Sequence, residues 1–188
     1  ESNDLSTDFT YIGLKQMLPT FIASKLKNIA DDFGRLRYKG AIRVRPEQIF
    51  VPNGNLITGI GQAKLQNFFL EDYSTDLPRY RGYAEVNDLN AEAITKMPEV
   101  GLISGKINFV GESFDLNRMV VDAKANLSHI EILDKTIHNL SLNGQLNRKP
   151  YNGLIRVDEP NAKASVNGNI DFKTSRLLAD VIADIAHL

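Results

Sequence analysis

Tyr151-Asn152-Gly153-Leu154-Ile155-Arg156-Val157 sets Tyr151, Gly153, Ile155 and Val157 at every second position. A period of two is that of a β-strand with one buried face. The pattern recurs as Tyr38-Lys-Gly40-Ala-Ile42-Arg-Val44, Tyr80-Arg-Gly82-Tyr-Ala84-Glu-Val86, Ile103-Ser-Gly105-Lys-Ile107-Asn-Phe109 and Val166-Asn-Gly168-Asn-Ile170-Asp-Phe172. Leu142-Asn-Gly144-Gln-Leu146 is a partial copy that fails at Arg148. The residues between are mostly polar, among them Lys39, Arg43, Arg81, Glu85, Lys106, Asn152, Arg156 and Asn169. One face is therefore wet and the other dry. The glycine falls on the dry face, where it weakens a strand but permits a bend or a close backbone approach. The glycines are irregularly spaced, which excludes a solenoid of fixed period.

Further strands fit between the copies. Val121, Ala123, Ala125 and Leu127 alternate, and the phase slips near Ser128-His129 so that Ile130 and Ile132 continue, as at a bulge. Leu140 and Leu142 lead into Gly144, Ala162 and Ala164 into Gly168, and Ala63, Leu65 and Phe69 form another strand. Ala179, Val181, Ala183 and Ile185 read as a last strand, although Leu178, Ile182 and Ile185 would suit a helix. Pro52-Asn53-Gly54-Asn55, Lys149-Pro150-Tyr151-Asn152 and Asp158-Glu159-Pro160-Asn161 carry turn chemistry. Leu18, Phe21, Ile22, Leu26, Ile29 and Phe33 form one helical stripe between Pro19 and Gly34. A short helical turn is expected at Ala91–Thr95. The predicted organisation is a linker over 1–13, an amphipathic helix over 14–34 and a repetitive β-sheet domain over 35–188. On pattern alone the strands suit either a sandwich or barrel, or one long curved sheet of similar hairpins.

The 188 residues carry 22 Lys+Arg against 23 Asp+Glu, so there is no basic stripe and no nucleic-acid partner is expected. The absence of Cys excludes a disulfide scaffold, a thiolate nucleophile and a cysteine zinc site. No apolar run approaches the ~18–20 residues that a spanning helix needs. Glu1 is not an initiator Met, and LLADVIADIAHL stops within an apolar pattern; a piece cut from a longer chain is expected.

Catalytic signals are sparse. His129, His138 and His187 have no zinc-like spacing; His129 is expected to be structural at the bulge and His138 to face solvent. Gly59-Ile60-Gly61 lacks the third glycine and the βαβ frame of a dinucleotide fingerprint. Asp31-Asp32 and Glu71-Asp72 are expected to be solvated acids. The sequence predicts no enzyme, no catalytic residue, no metal and no cofactor. The dry face is the feature left over. Its expected lining is Tyr38, Ile42, Val44, Tyr80, Val86, Ile103, Ile107, Phe109, Leu127, Leu142, Tyr151, Ile155, Val157, Val166, Ile170 and Phe172. Such a surface suits acyl chains, whose burial is favourable by about 0.8 kcal/mol per CH₂.

Gly111–Leu116 (Gly-Glu-Ser-Phe-Asp-Leu), Leu127–Lys135 (Leu-Ser-His-Ile-Glu-Ile-Leu-Asp-Lys) and Asn139–Gly144 (Asn-Leu-Ser-Leu-Asn-Gly), with the strand-glycine-strand copies and Pro46–Val51, resemble the AsmA-like superfamily. Within it the chain looks most similar to the TamB-type proteins of Bacteroidetes, over roughly Gly34 to the C-terminus. The resemblance implies a mainly β fold: an elongated antiparallel sheet of repeated hairpins, curled like a taco shell around an apolar groove. It also implies a periplasmic segment of a protein anchored in the inner membrane of a Gram-negative bacterium. The implied work is outer-membrane biogenesis, by phospholipid transfer or by chaperoning outer-membrane β-strands. The implied partners are acyl chains, nascent outer-membrane proteins and, through the full-length chain, the barrel-assembly machinery. An unpaired strand edge would further favour oligomers of the fragment. The alternative is a self-contained sandwich or barrel for adhesion or binding, with a filled core.

Overall fold

The computed structural model describes residues 3–10, 35–95, 98–115, 117–147, 150–160, 162–171 and 178–187. The helix expected over 14–34, the acidic pair Asp31-Asp32 and Phe172 lie outside them. The described residues form one antiparallel sheet of eleven strands, in which every strand pairs with its neighbours in the chain. In order these are β1 (Asn3–Thr10), β2 (Arg35–Arg45), β3 (Gln48–Thr58), β4 (Gly61–Glu71), β5 (Arg79–Asn90), β6 (Val100–Glu112), β7 (Val120–Ile132), β8 (Lys135–Asn147), β9 (Tyr151–Glu159), β10 (Ala162–Asp171) and β11 (Leu178–His187). The helical turn α1 (Ala91–Thr95) follows β5 where it is expected. The sheet is open, with β1 and β11 at its two edges.

Tight turns close several hairpins of this meander. Pro46-Glu47 joins β2 to β3, with Glu47 at φ 60°, a conformation suited to the third position of a type II turn after proline. Leu133 and Asp134, both at positive φ, make the two-residue turn between Ile132 and Lys135. Gly59-Ile60 is likewise a hairpin turn between Thr58 and Gly61, not a phosphate loop. Pro160 ends β9 as its missing N–H requires.

Register gathers the apolar residues into rows. Ile170, Tyr151, Leu146, Val121, Gly111, Tyr80, Leu70, Ile49 and Val44 pair in sequence from β10 to β2. A second row runs Val166, Ile155, Leu142, Ala125, Ile107, Ala84, Leu65, Gly54 and Gly40. Between them lie Gly168, Gly153 and Gly144, paired side by side and continued by Ala123 and Phe109.

Bulges hold the rows in phase. The slip anticipated at Ser128 is present, since Leu127 pairs with Gly105 while His129 pairs with Ser104. Asn67, Asp88 and Asn139 sit at φ 47°, 48° and 49°, the left-handed region that Asn and Asp tolerate best among non-glycine residues. Two expectations are corrected by such features. Phe69 does not share a face with Ala63 and Leu65: the irregularity at Gln66-Asn67 turns Phe68 and Leu70 to the apolar side and Phe69 to the polar side. Pro52-Asn53-Gly54-Asn55 does not separate two strands. It lies inside β3, opposite the register shift between Gly40 and Arg43, where a proline is tolerated. The N-terminal segment is not wholly linker, because Leu5, Thr7 and Phe9 alternate and Asn3–Thr10 pairs with β2.

Gly153 shows what the motif glycine does. At φ 157° a Cβ here would stand 2.5 Å from Gly144 Cα and 2.8 Å from the Tyr151 hydroxyl. The Tyr151 side chain lies over the space that two glycines leave, an arrangement that compensates for their missing side chains. We expect Gly153→Ala to destabilise the domain by about 1–3 kcal/mol in urea unfolding, from strain and displaced tyrosine together. An unchanged midpoint would refute this role.

Candidate functional site

The continuous apolar face is the candidate site. Every described member of the sixteen-residue set is on it. Tyr80, Val86 and Leu127 are buried. Tyr38, Ile42, Ile103, Ile107, Phe109, Leu142, Tyr151, Ile155, Val157, Val166 and Ile170 are half-buried, and Val44, near the end of β2, is 63% exposed. Two clusters organise the face. Ile49, Leu70 and Tyr80 gather Ile42, Phe68, Phe109 and Val121; Ala125, Leu127 and Leu140 gather Ile107, Ile130, Leu142, Ile155 and Val157. Phe68 and Phe109, on β4 and β6, meet at 6.3 Å across Gly82 of β5, where a Cβ would stand 2.9 Å from Phe68 Cα.

Tyrosines tie this face to the backbone. Tyr38 donates to the carbonyl of Ala41 at 3.0 Å and Tyr151 to that of Leu154 at 3.2 Å, the same three-residue reach in two copies of the motif. Tyr80 instead covers Gly111 on β6 and donates to the carbonyl of buried Ser113 at 3.2 Å. Its ring also stacks on Phe114 at 5.0 Å.

The strongest polar constellation stands at the bulges. Asp88 Oδ1 lies 3.4 Å from His129 Nε2 and accepts a 3.3 Å hydrogen bond from Ser104 Oγ. Ser104 Oγ in turn accepts from Asp88 N at 2.8 Å, and Ser128 Oγ donates to Ser104 O at 3.2 Å. A nucleophilic triad needs the imidazole on the hydroxyl. Here both Ser104 and His129 address the carboxylate, an arrangement that braces the bulges. His138 is exposed on β8 as expected, its ring 6.4 Å from that of His129.

Sequence reading missed the opposite face. Four depressions of about 810, 710, 360 and 220 Å³ lie against it, and only Tyr80, Val86, Phe109 and Leu127 of the apolar set reach any of them. The largest is walled by Asn67, Arg81, Asn108, Asp122, Lys124, Asn143, Gln145 and Asn152. Nearby, Arg43, Phe50, Phe69 and Arg81 form one cross-strand row. The two rings stack at 4.2 Å, with Arg81 4.3 Å over Phe69 and Arg43 5.8 Å over Phe50. The signal for this row is two adjacent apolar residues, Phe68-Phe69, immediately after an Asn in an otherwise alternating strand.

Comparison with protein-family models, curated proteins and solved structures finds no match for the chain.

Burial pushes the Tyr80 phenol up to about 12. A raised folded value favours the protonated phenol, so its stabilisation is complete below pH ~10 and is lost as pH rises from about 10 through 12. The unfolding free energy should therefore fall further across that window in wild type than in Tyr80→Phe, by up to about 2–3 kcal/mol. Parallel pH profiles would exclude this contribution.

Proposed function

We propose that this chain is a non-enzymatic segment of an AsmA-like, TamB-type envelope protein, located in the periplasm, and that its apolar face receives phospholipid acyl chains. In this reading the sheet curls into a trough, the apolar rows line it and the polar face keeps it soluble. The carrying observation is the set of apolar rows that cross nine strands of a single open sheet without a polar interruption. An acyl chain needs no hydrogen-bond partner and gains about 0.8 kcal/mol per buried CH₂, so a uniform apolar surface suits it and lets it slide. A nascent outer-membrane strand would need backbone partners, which the sheet offers at its edges β1 and β11.

A second reading rests on a different observation. Ala125, Leu127 and Leu140 are only 2%, 5% and 6% exposed, and the four depressions lie on the polar side. Both favour a filled core in an adhesion or binding module that meets its partner through the polar face.

Photo-crosslinking separates the two. Benzoylphenylalanine at Ile107 and Ile155, with Lys106 and Arg156 on the opposite face as controls, is exposed to phospholipid vesicles and irradiated. The acyl-chain reading predicts lipid adducts from Ile107 and Ile155 and none from the controls. Adducts confined to the protein itself would reject it in favour of the filled core.

A further inference from the structure

The polar face carries a cationic and aromatic pocket that the acyl-chain reading does not use. Arg43 and Arg45 project from alternate positions of β2 on the same side, which spaces their backbones by about 6.6 Å. Beside them, Gln48 and the stacked pair Phe50 and Phe69 complete the lining of a depression of about 220 Å³. The neighbouring arginines of the face are neutralised: Arg81 pairs with Glu71 at 3.0 Å and Arg79 with Asp72 at 2.7 Å. Glu71 is further engaged by the Gln48 amide at 3.1 Å. Among the described residues no carboxylate pairs with Arg43 or Arg45. Two exposed arginines thus line one recess without an ion-pair partner among the described residues.

We propose that this recess binds the phosphate group of a phosphate ester, with Arg43 and Arg45 gripping the oxygens and the Phe50–Phe69 pair receiving the ester's organic body. Guanidinium forks match phosphate oxygens in charge and in geometry, and donors on two side chains can span one tetrahedral group. The half-buried ring pair, stacked between Arg43 and Arg81, presents its edges to the recess as an apolar wall beside the charges, so an ester suits the recess better than a free inorganic anion. The phosphate can belong to a soluble ester or to a lipid headgroup, since both present the same group. On this face a headgroup would bind on the side of the sheet opposite the apolar rows.

The experiment uses the whole chain and NMR titration with phenyl phosphate. Saturable shifts in β2, β3 and β4 and at the Arg43 and Arg45 Nε groups are expected at millimolar ligand, sensitive to salt. Affinity should fall about tenfold or more in Arg43→Gln and in Arg45→Gln, and by less in Arg43→Lys, which keeps the charge but loses the fork. Lys64→Gln, an exposed polar-face control on β4, should leave it unchanged. Shifts elsewhere in the sheet report that each variant remains folded. A second arm measures co-sedimentation with phosphatidylglycerol vesicles against phosphatidylcholine vesicles. Binding to the anionic vesicles that depends on Arg43 and Arg45 assigns a headgroup, and phenyl phosphate binding without vesicle binding assigns a soluble ester. Absence of saturable shifts, or an equal loss in Lys64→Gln, overturns the proposal.

Discussion

In a single antiparallel sheet, a slip of one residue at any strand would carry its apolar side chains to the solvent face. The pairing register is thus the constraint from which the other features of this chain follow. With each strand pairing only with its chain neighbours, register is inherited from hairpin to hairpin, and an error in one would be transmitted to the next. Tight turns such as Pro46-Glu47 and Leu133-Asp134 fix some of these transfers, while longer connections join β4 to β5, β5 to β6 and β6 to β7. The cost of a misplaced strand is large, since each exposed Leu, Ile or Phe forfeits roughly 1.5–3 kcal/mol.

Two devices keep long strands in phase. Asn67, Asp88 and Asn139 adopt left-handed conformations at breaks in the alternation, and Ser128 is the extra residue with no register position opposite it in β6. The Asp88–Ser104–His129 group braces that region by hydrogen bonds between neighbouring strands. The glycine of each motif copy serves packing. Across β8, β9 and β10 three glycines stand in one row, and the Tyr151 hydroxyl lies against two of them. The same bulges that keep Phe68 on the dry side place Phe69 beside Phe50 on the wet one. One backbone irregularity therefore serves both faces.

Much of this was legible from sequence because it is local. Period two around Gly153 or Gly105, the stop at Pro160, the slip at Ser128 and the turn at Ala91–Thr95 each declare themselves within a few residues. The direction of Phe69 was not legible, because it depends on a left-handed Asn67 and on which residues of β3 and β5 lie opposite. Pro52 was misleading for the same reason: a strand can carry a proline at a bulge, and only the alignment with β2 shows that β3 has an extra residue between Phe50 and Gly54. The apolar rows emerged residue by residue, whereas the arginine–phenylalanine row required four strands to be aligned first. β1 was obscured by its acidic composition, Asn3-Asp4-Leu5-Ser6-Thr7-Asp8, which dilutes a short alternation.

The proposed function makes one face of this sheet a surface for acyl chains and leaves the other to water. The chain has no Cys, so single cysteines at 106, 107, 108, 109 and 110 can carry nitroxide labels without a background. Their collision rates with oxygen and with a water-soluble nickel chelate should be measured with and without phospholipid. The account predicts that added phospholipid raises the oxygen-to-nickel ratio at Ile107 and Phe109, leaving Lys106, Asn108 and Val110 unchanged. A ratio that ignores lipid at all five positions, or that changes without a period of two, would contradict it.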